Sequence, residues 1–352
     1  MLSLYIRISS GVIKQMDINK HIALNDSYKN GKKKPWRLRK KQSNQLANSY
    51  KRIGEINKSL RVGSCGNVLL FQECPDGHQK QLVRAFFCKV RLCPMCAWRR
   101  SLKIVQQLKS MTHIVNQSHS LKWVFLTLTV KNVSGPELDE TIRHMFQSWQ
   151  RLSQRKVFKD NVKGWFRALE VTRSNSDGSY HPHIHVLLAV TAGYFAGKNY
   201  VRKEKWRVLW QEALRSDYMP VVDIRKVKVK RNPNQEAETL KSEEQKRALE
   251  AAILETAKYP VKPASYAVPG NRQGTDDAVR HLDRALRGKR MIAFGGVLKQ
   301  AQQKWNNENN GEAETLTDGE KKECQCATCG SNMLEHLYTW NIGLSNYIEH
   351  EH

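Results

Sequence analysis

Apolar positions recur along this chain in two rhythms, the alternation of strands and the longer beat of helices. WVFLTLTV (123–130) is a continuous run that predicts a buried strand, with Thr127 and Thr129 on one face. WFRALEVT (165–172) predicts a second strand. In HPHIHVLLAV (181–190), a third, successive side chains point to opposite faces. His181, His183 and His185 therefore share one side, while Ile184, Val186, Leu188 and Val190 share the other. RSNSDGSY is rich in turn residues and makes the last two strands a hairpin, which brings Glu170 near the histidines. VVDIRKVKVK (221–230) alternates as a further strand. Helical spacing marks SLKIVQQLKSMTHIV (101–115), PELDETIRHMFQSWQRL (136–152), VRKEKWRVLWQEALR (201–215) and SEEQKRALEAAILETAKY (242–259), the last stopped by Pro260. Trp206 and Trp210, one turn apart, read as core rather than as a stacking platform.

Charge narrows the partner. The 352 residues hold 59 Lys+Arg against 33 Asp+Glu, a formal charge of +26. A polyanion is the expected partner, nucleic acid foremost, although membrane surface or ribosomal RNA would suit charge alone. No run of about 18 apolar residues offers a bilayer span. The opening MLSLYIRISSGVIKQMD lacks a long apolar core with a small-residue cleavage site. The expectation is a soluble cytoplasmic protein with no membrane partner. Five segments are expected: a basic, flexible stretch over 1–50 with GKKKPWRLRKK (31–41), in which Trp36 among cations suits nucleic-acid contact; a cysteine-rich segment over 51–112; a catalytic body over 113–300; a linker over 301–323 that includes the polar, acidic NNENNGEAETLTDGEKKE (306–323); and a C-terminal cysteine-containing segment over 324–352.

The eight cysteines fall in two groups: Cys65, Cys74, Cys88, Cys93 and Cys96, then Cys324, Cys326 and Cys329. Without a secretion signal this favours zinc over disulfides. CPMC (93–96) and CATC (326–329) are knuckles that bend two thiolates toward one tetrahedral ion, and a structural site needs four such ligands. Cys65, Cys74, Cys88 and His78 of CPDGH all compete to complete the first site. The terminal group needs His336 or an upstream partner. These clusters are expected to serve folding and DNA contact. The histidine strand, which lacks a thiolate, is expected to serve chemistry, because two imidazoles one strand repeat apart can hold a divalent ion and leave positions open for substrate.

In ETAKY (255–259) the i, i+4 spacing sets Glu255 and Tyr259 one above the other on a helix whose buried stripe is Leu249, Ala252, Ile253 and Thr256. A tyrosine needs help to attack phosphorus, because its pKa is near 10. A divalent ion polarising a phosphate oxygen gives that help. Such an attack leaves a covalent phosphotyrosine link.

FCKVRLCPMCAWRR (87–100), FLTLTV (125–130), HPHIHVLLAV and ETAKY, in that order, resemble the motifs of rolling-circle replication initiators of Gram-positive-type plasmids, members of the HUH endonuclease superfamily. The resemblance covers roughly residues 30–290. It implies an α+β fold with a central, mainly antiparallel five-stranded sheet and flanking helices, the two histidines His183 and His185 on a central strand, and the tyrosine on a nearby helix. It implies that Mg²⁺ or Mn²⁺ is held by His183, His185 and a third ligand, for which His181 and Glu170 both qualify; Glu170 is preferred because a hairpin partner approaches from the side. By the same resemblance the protein binds the plasmid double-strand origin and single-stranded DNA, Tyr259 nicks one strand to leave a 3′-hydroxyl primer, and Glu255 activates water for the terminating cut. A host helicase and DNA polymerase follow as partners. Two other readings compete: another HUH nickase, such as a relaxase or single-strand transposase, and a zinc-dependent DNA-binding regulator without catalysis. The latter leaves the histidine strand and ETAKY unexplained.

Overall fold

The structure is a computed structural model that describes residues 22–28, 30–196, 200–227, 238–257, 261–308, 316–318 and 325–350, the side chains of 238–243 and 245 excepted. Tyr259 and Cys324 lie outside the described residues. In chain order the elements are α1 (Trp36–Arg52), α2 (Ile56–Ser64), β1 (Val68–Glu73), β2 (Lys80–Ala85), α3 (Pro94–Ser118), β3 (Leu121–Thr129), α4 (Leu138–Gln154), α5 (Lys156–Asn161), β4 (Val162–Arg173), β5 (Tyr180–Thr191), α6 (Lys203–Leu214), β6 (Val222–Lys226), α7 (Glu238–Thr256), α8 (Arg272–Leu286), β7 (Ile292–Gly296), α9 (Val297–Glu308), β8 (Leu334–Asn341) and β9 (Asn346–Glu349). The chain is α+β, with two antiparallel sheets.

The larger sheet has five strands in the order β6-β3-β5-β4-β7, so the histidine strand β5 is central. All four of its pairings are antiparallel. A central strand between helix layers must be apolar on both faces, and β5 is. Ile184, Val186, Leu188 and Val190 pack into one buried cluster with Ile142 and Trp149 of α4, Trp206 and Trp210 of α6, and Leu282 of α8. Leu187 and Ala189 pack on the other face with Met111 of α3, Ile253 of α7, and Leu298 and Ala301 of α9. Trp206 and Trp210 are core, as their spacing predicts.

The β4–β5 hairpin forms where the turn residues predict it. The Asp177 carboxylate accepts from the Ser179 N–H at 3.0 Å and from its hydroxyl at 2.8 Å. Gly178 takes φ +73°, a left-handed conformation that glycine adopts without a Cβ clash. The Ser174 N–H closes the turn on the Ser179 carbonyl at 2.8 Å.

Three boundaries differ from the sequence reading. Residues 36–50 are helix rather than flexible tail: Trp36, Leu46 and Tyr50 of α1 are buried. The Trp36 indole donates to Asp26 at 2.8 Å and packs edge-on against Trp98 and Phe71, so it does not offer a face to nucleic acid. The expected linker from 301 begins inside α9, which continues to Glu308 because Leu298 and Ala301 are core. Beyond it, Asp318 pairs with buried Arg99, and the Leu316 carbonyl accepts from the same guanidinium at 2.7 Å. Finally, the C-terminal segment is not a separate unit, since β8 pairs with β1 in a four-stranded sheet of order β2-β1-β8-β9.

If α1 is part of the core, Trp36→Ala should lower the free energy of unfolding by about 3–5 kcal/mol, the cost of truncating a buried large aromatic. Denaturant titration checks this; an unchanged midpoint would return 36–50 to the status of a tail.

Candidate metal centres

Strand register builds the first centre. Glu170 of β4 sits directly opposite His183 of β5, and Thr127 of β3 opposite His185. Directly paired residues share a face. The Glu170 Oε2 lies 3.3 Å from His183 Nε2 and 3.0 Å from His185 Nε2. All three residues are buried, and their donor atoms lie within 4.8 Å of one another. The remaining ring nitrogens are occupied: His183 Nδ1 faces the His181 carbonyl at 3.2 Å, and His185 Nδ1 faces the Thr127 hydroxyl at 3.1 Å. With Nδ1–H donated to a carbonyl, a neutral His183 presents a lone pair at Nε2 to a carboxylate oxygen. Two acceptors at that distance require a positive charge between them, either a proton on the ring or a cation. Hydrogen bonds at the outer nitrogens orient imidazoles in this way around metals. Two nitrogens and a carboxylate fit a divalent cation that keeps open positions for substrate.

Electrostatics favour an ionised Glu170. Burial penalises the charge, but hydrogen bonds from His183, His185 and Lys262 outweigh it and hold the carboxyl well below the usual carboxylate range. Lys262 Nζ pairs with the other carboxylate oxygen at 2.7 Å. Nothing in the strand pattern points to Lys262, which follows Tyr259 by three residues in YPVK. His181 stands apart from the cluster, its Nδ1 2.8 Å from the Asn132 side chain. Of the two residues weighed as third ligand, the structure brings Glu170 to the histidines and leaves His181 outside.

Glu255 lies near the end of α7, which ends at Thr256. Ile253 and Ala257 share a buried cluster with Leu187 and Ala189, so the start of ETAKY packs over the sheet face that carries the histidines. Tyr266, the next tyrosine along, is buried, and its hydroxyl donates to the Leu92 carbonyl at 3.4 Å.

The cysteines form two further centres. Cys65, Cys88, Cys93 and Cys96 are all buried and converge. Cys96 Sγ lies 3.5 Å from Cys65 Sγ and 3.6 Å from Cys88 Sγ. Metal–sulfur bonds of about 2.3 Å around a tetrahedral zinc put sulfurs about 3.8 Å apart, so the spacing fits. Backbone N–H groups of Cys88 and Lys89 point at the sulfurs of Cys65 and Cys96, at 3.4 and 3.3 Å. The other tetrad is Cys74, His78, Cys326 and Cys329, with Cys74 Sγ 3.4 Å from Cys329 Sγ and 3.7 Å from His78 Nδ1. CPDGH thus completes the terminal knuckle rather than the first site. His336 is not a ligand; its ring pairs with Glu349. Both donor sets are consistent with zinc.

A buried histidine–carboxylate cluster on an antiparallel sheet and two cysteine tetrads give this strongly basic chain three donor sets that could hold metal ions, and its charge suits nucleic acid. Its relatives make that particular. The family model described as Replication protein matches residues 79–348. The chain is 39% identical over 340 residues to "Protein rep" of Bacillus amyloliquefaciens, covering 94% of this chain and 98% of that one. It is 40% identical over 335 residues to "Protein rep" of Streptococcus pneumoniae serotype 2 (strain D39 / NCTC 7466), covering 94% and 96%. A "Replication protein" of Staphylococcus aureus is 35% identical over 252 residues, 69% of this chain and 97% of that one. No solved structure gives a significant match. The chain belongs to this replication-protein family, which bears out the resemblance to plasmid replication initiators read from its motifs.

The tetrads make a pairing prediction. Cys74→Ser and Cys329→Ser should each release the same metal equivalent from purified protein, and Cys65→Ser the other, as read by metal analysis. Loss of one shared ion from Cys74→Ser and Cys93→Ser would contradict the two-tetrad geometry.

Proposed function

We propose that the protein is a rolling-circle plasmid replication initiator of HUH-endonuclease type, which binds the double-strand origin and nicks one strand. The observation that carries this reading is the Glu170–His183–His185 centre on the same sheet face against which α7, leading to Tyr259, packs. A divalent cation such as Mg²⁺ or Mn²⁺ bound there supplies charge stabilisation to a phosphate oxygen. The protein's own residues do the rest. His183 and His185 are oriented by their outer nitrogens, and Lys262 holds Glu170 from its far oxygen. The Tyr259 phenolic oxygen bonds to phosphorus as the bond from phosphorus to the 3′ oxygen breaks. The phenol gives up its proton, the 3′ oxygen gains one, and a 5′-phosphotyrosine and a 3′-hydroxyl primer result. Glu255 then takes a proton from water for the terminating cut. The cysteine tetrads, loaded with zinc, are structural. A host helicase and DNA polymerase extend the primer. The segment 113–300 holds the nicking chemistry, and the cysteine-rich segments at either end of it form one joint platform through β1 and β8.

Nicking of a supercoiled origin plasmid tests the reading. His183→Ala/His185→Ala should abolish cleavage while duplex-origin binding survives, since phosphate contacts and base readout lie elsewhere. Tyr259→Phe should form no covalent adduct. Glu255→Ala should still nick but lose the second cut by roughly a hundredfold or more, the usual scale of general-base catalysis. Adduct formation by Tyr259→Phe, or full nicking by the double histidine variant, would refute the mechanism.

A further inference from the structure

The two cysteine tetrads are alike in chemistry and unlike in exposure. Cys65, Cys88, Cys93 and Cys96 are each at most 1% exposed, so a solute cannot reach their sulfurs unless the chain opens. In the other tetrad Cys74 and Cys326 are buried and pack with Met333, whereas His78 and Cys329 are exposed. One sulfur of this set therefore stands at the surface, and a buried one, Cys74 Sγ, lies 3.4 Å from it.

The fold presents this pair through two closed turns. The Cys74 N–H donates to the Gln79 carbonyl and the Cys74 carbonyl accepts from the Gly77 N–H, both at 2.8 Å. Cys326 repeats the pattern with the Ser331 carbonyl and the Gly330 N–H, again at 2.8 Å. Strand pairing sets the turns side by side, since Glu73, the residue before Cys74, pairs with Leu334 of β8. Cysteines that hold a metal do so as thiolates, and the thiolate is also the nucleophile. Oxidation selects thiolates that solvent reaches, above all where a second thiol stands by to resolve the product. Cys329 and Cys74 meet both conditions, and the buried tetrad fails the first.

We propose that Cys329 and Cys74 form an oxidation site, at which a peroxide converts the metal-held pair into a disulfide and expels the zinc ion. The Cys329 sulfur bonds to one peroxide oxygen as the O–O bond breaks, which gives a sulfenic acid and a hydroxide that takes up a proton. Cys74 Sγ then bonds to the Cys329 sulfur, and the sulfenic oxygen leaves with a proton as a second water. Two electrons pass from the sulfurs to the peroxide. The ion, left with Cys326 and His78, has lost two of the four ligands that a structural site needs, and dissociates. The new bond joins residues 255 positions apart, so the hold of the β1–β2 turn on the segment before β8 passes from metal to covalent link. A reducing thiol and fresh zinc reverse the change.

The expulsion step rests on the reading of both tetrads as zinc sites, and a metal count on untreated protein tests that reading by itself. Hydrogen peroxide, added to the purified full-length chain with a chromogenic zinc chelator present, should release one of two zinc equivalents and leave the other. Non-reducing peptide mapping should join Cys74 to Cys329, while Cys65, Cys88, Cys93 and Cys96 are still alkylated as thiols after unfolding. The oxidised protein should keep strands β8 and β9 resistant to limited proteolysis, and dithiothreitol without added zinc should make them susceptible. Cys74→Ser removes the resolving thiol, so Cys329 should accumulate there as a sulfenic acid trapped by dimedone, whether or not that variant holds metal. A Cys326–Cys329 disulfide in place of the cross-link, equal zinc release from both tetrads, or oxidation of the buried four ahead of Cys329 would each overturn the proposal. Untreated protein without zinc would sink the zinc reading, and the peptide map would still decide the oxidation site.

Discussion

One residue of strand register decides whether Glu170 meets His183 and His185 at all. Side chains alternate along a strand, so a single slip of β4 against β5 would turn Glu170 to the opposite face and leave His183 and His185 without their carboxylate. The pairing is held from both ends. At the turn, Asp177 accepts from Ser174 and Ser179, and these bonds pull its carboxyl down to about 2. Along the strands, Phe166, Leu169, Ile184 and Leu187 are fully buried on alternate faces. A slip would exchange two different packed surfaces at once. The hydrophobic pattern that makes β5 a central strand thus also aims its imidazoles.

The cysteine tetrads extend the same logic to segments far apart in sequence. Cys74 and His78 follow β1, while Cys326 and Cys329 precede β8, and β1 pairs with β8. Strand pairing and ligand convergence therefore support each other, and neither end of the chain completes its site alone. The other tetrad spans Cys65 to Cys96 and takes in the start of α3, where Cys93 precedes the helix and Cys96 lies in its first turn. A metal ion bound there would contribute folding energy directly and hold the start of α3 against β1 and α2.

What was legible in the sequence was local. Alternation in WFRALEVT and HPHIHVLLAV and the turn between them suffice to bring Glu170 to the histidines, because a hairpin needs no information from elsewhere in the chain. The partition of the cysteines was not legible, since it depends on pairing between strands about 265 residues apart in sequence, Leu70 with Leu337 for example. Lys262 escaped because its approach to Glu170 follows from the path of the chain after α7 rather than from any periodicity. The N-terminal helix was misread for a different reason: GKKKPWRLRKK looks solvated when charge is weighed, and burial of one of its lysines cannot be inferred from composition.

That lysine explains why α1 docks. Lys40 is fully buried, and its ammonium donates to the carbonyls of Gly63 at 2.6 Å and Cys65 at 3.0 Å. Burial pushes its pKa down to about 8, against the opposing pull of Cys65, Cys93 and Cys88. A charge so placed is costly unless it is compensated. Four thiolates around one divalent ion carry net negative charge, and Lys40 lies where that charge is felt. Ser43, one turn further along α1, brings its hydroxyl within 3.5 Å of Cys93 Sγ. The helix is therefore tied to the tetrad by Lys40 and Ser43, which precede its first ligand, Cys65, by 25 and 22 positions.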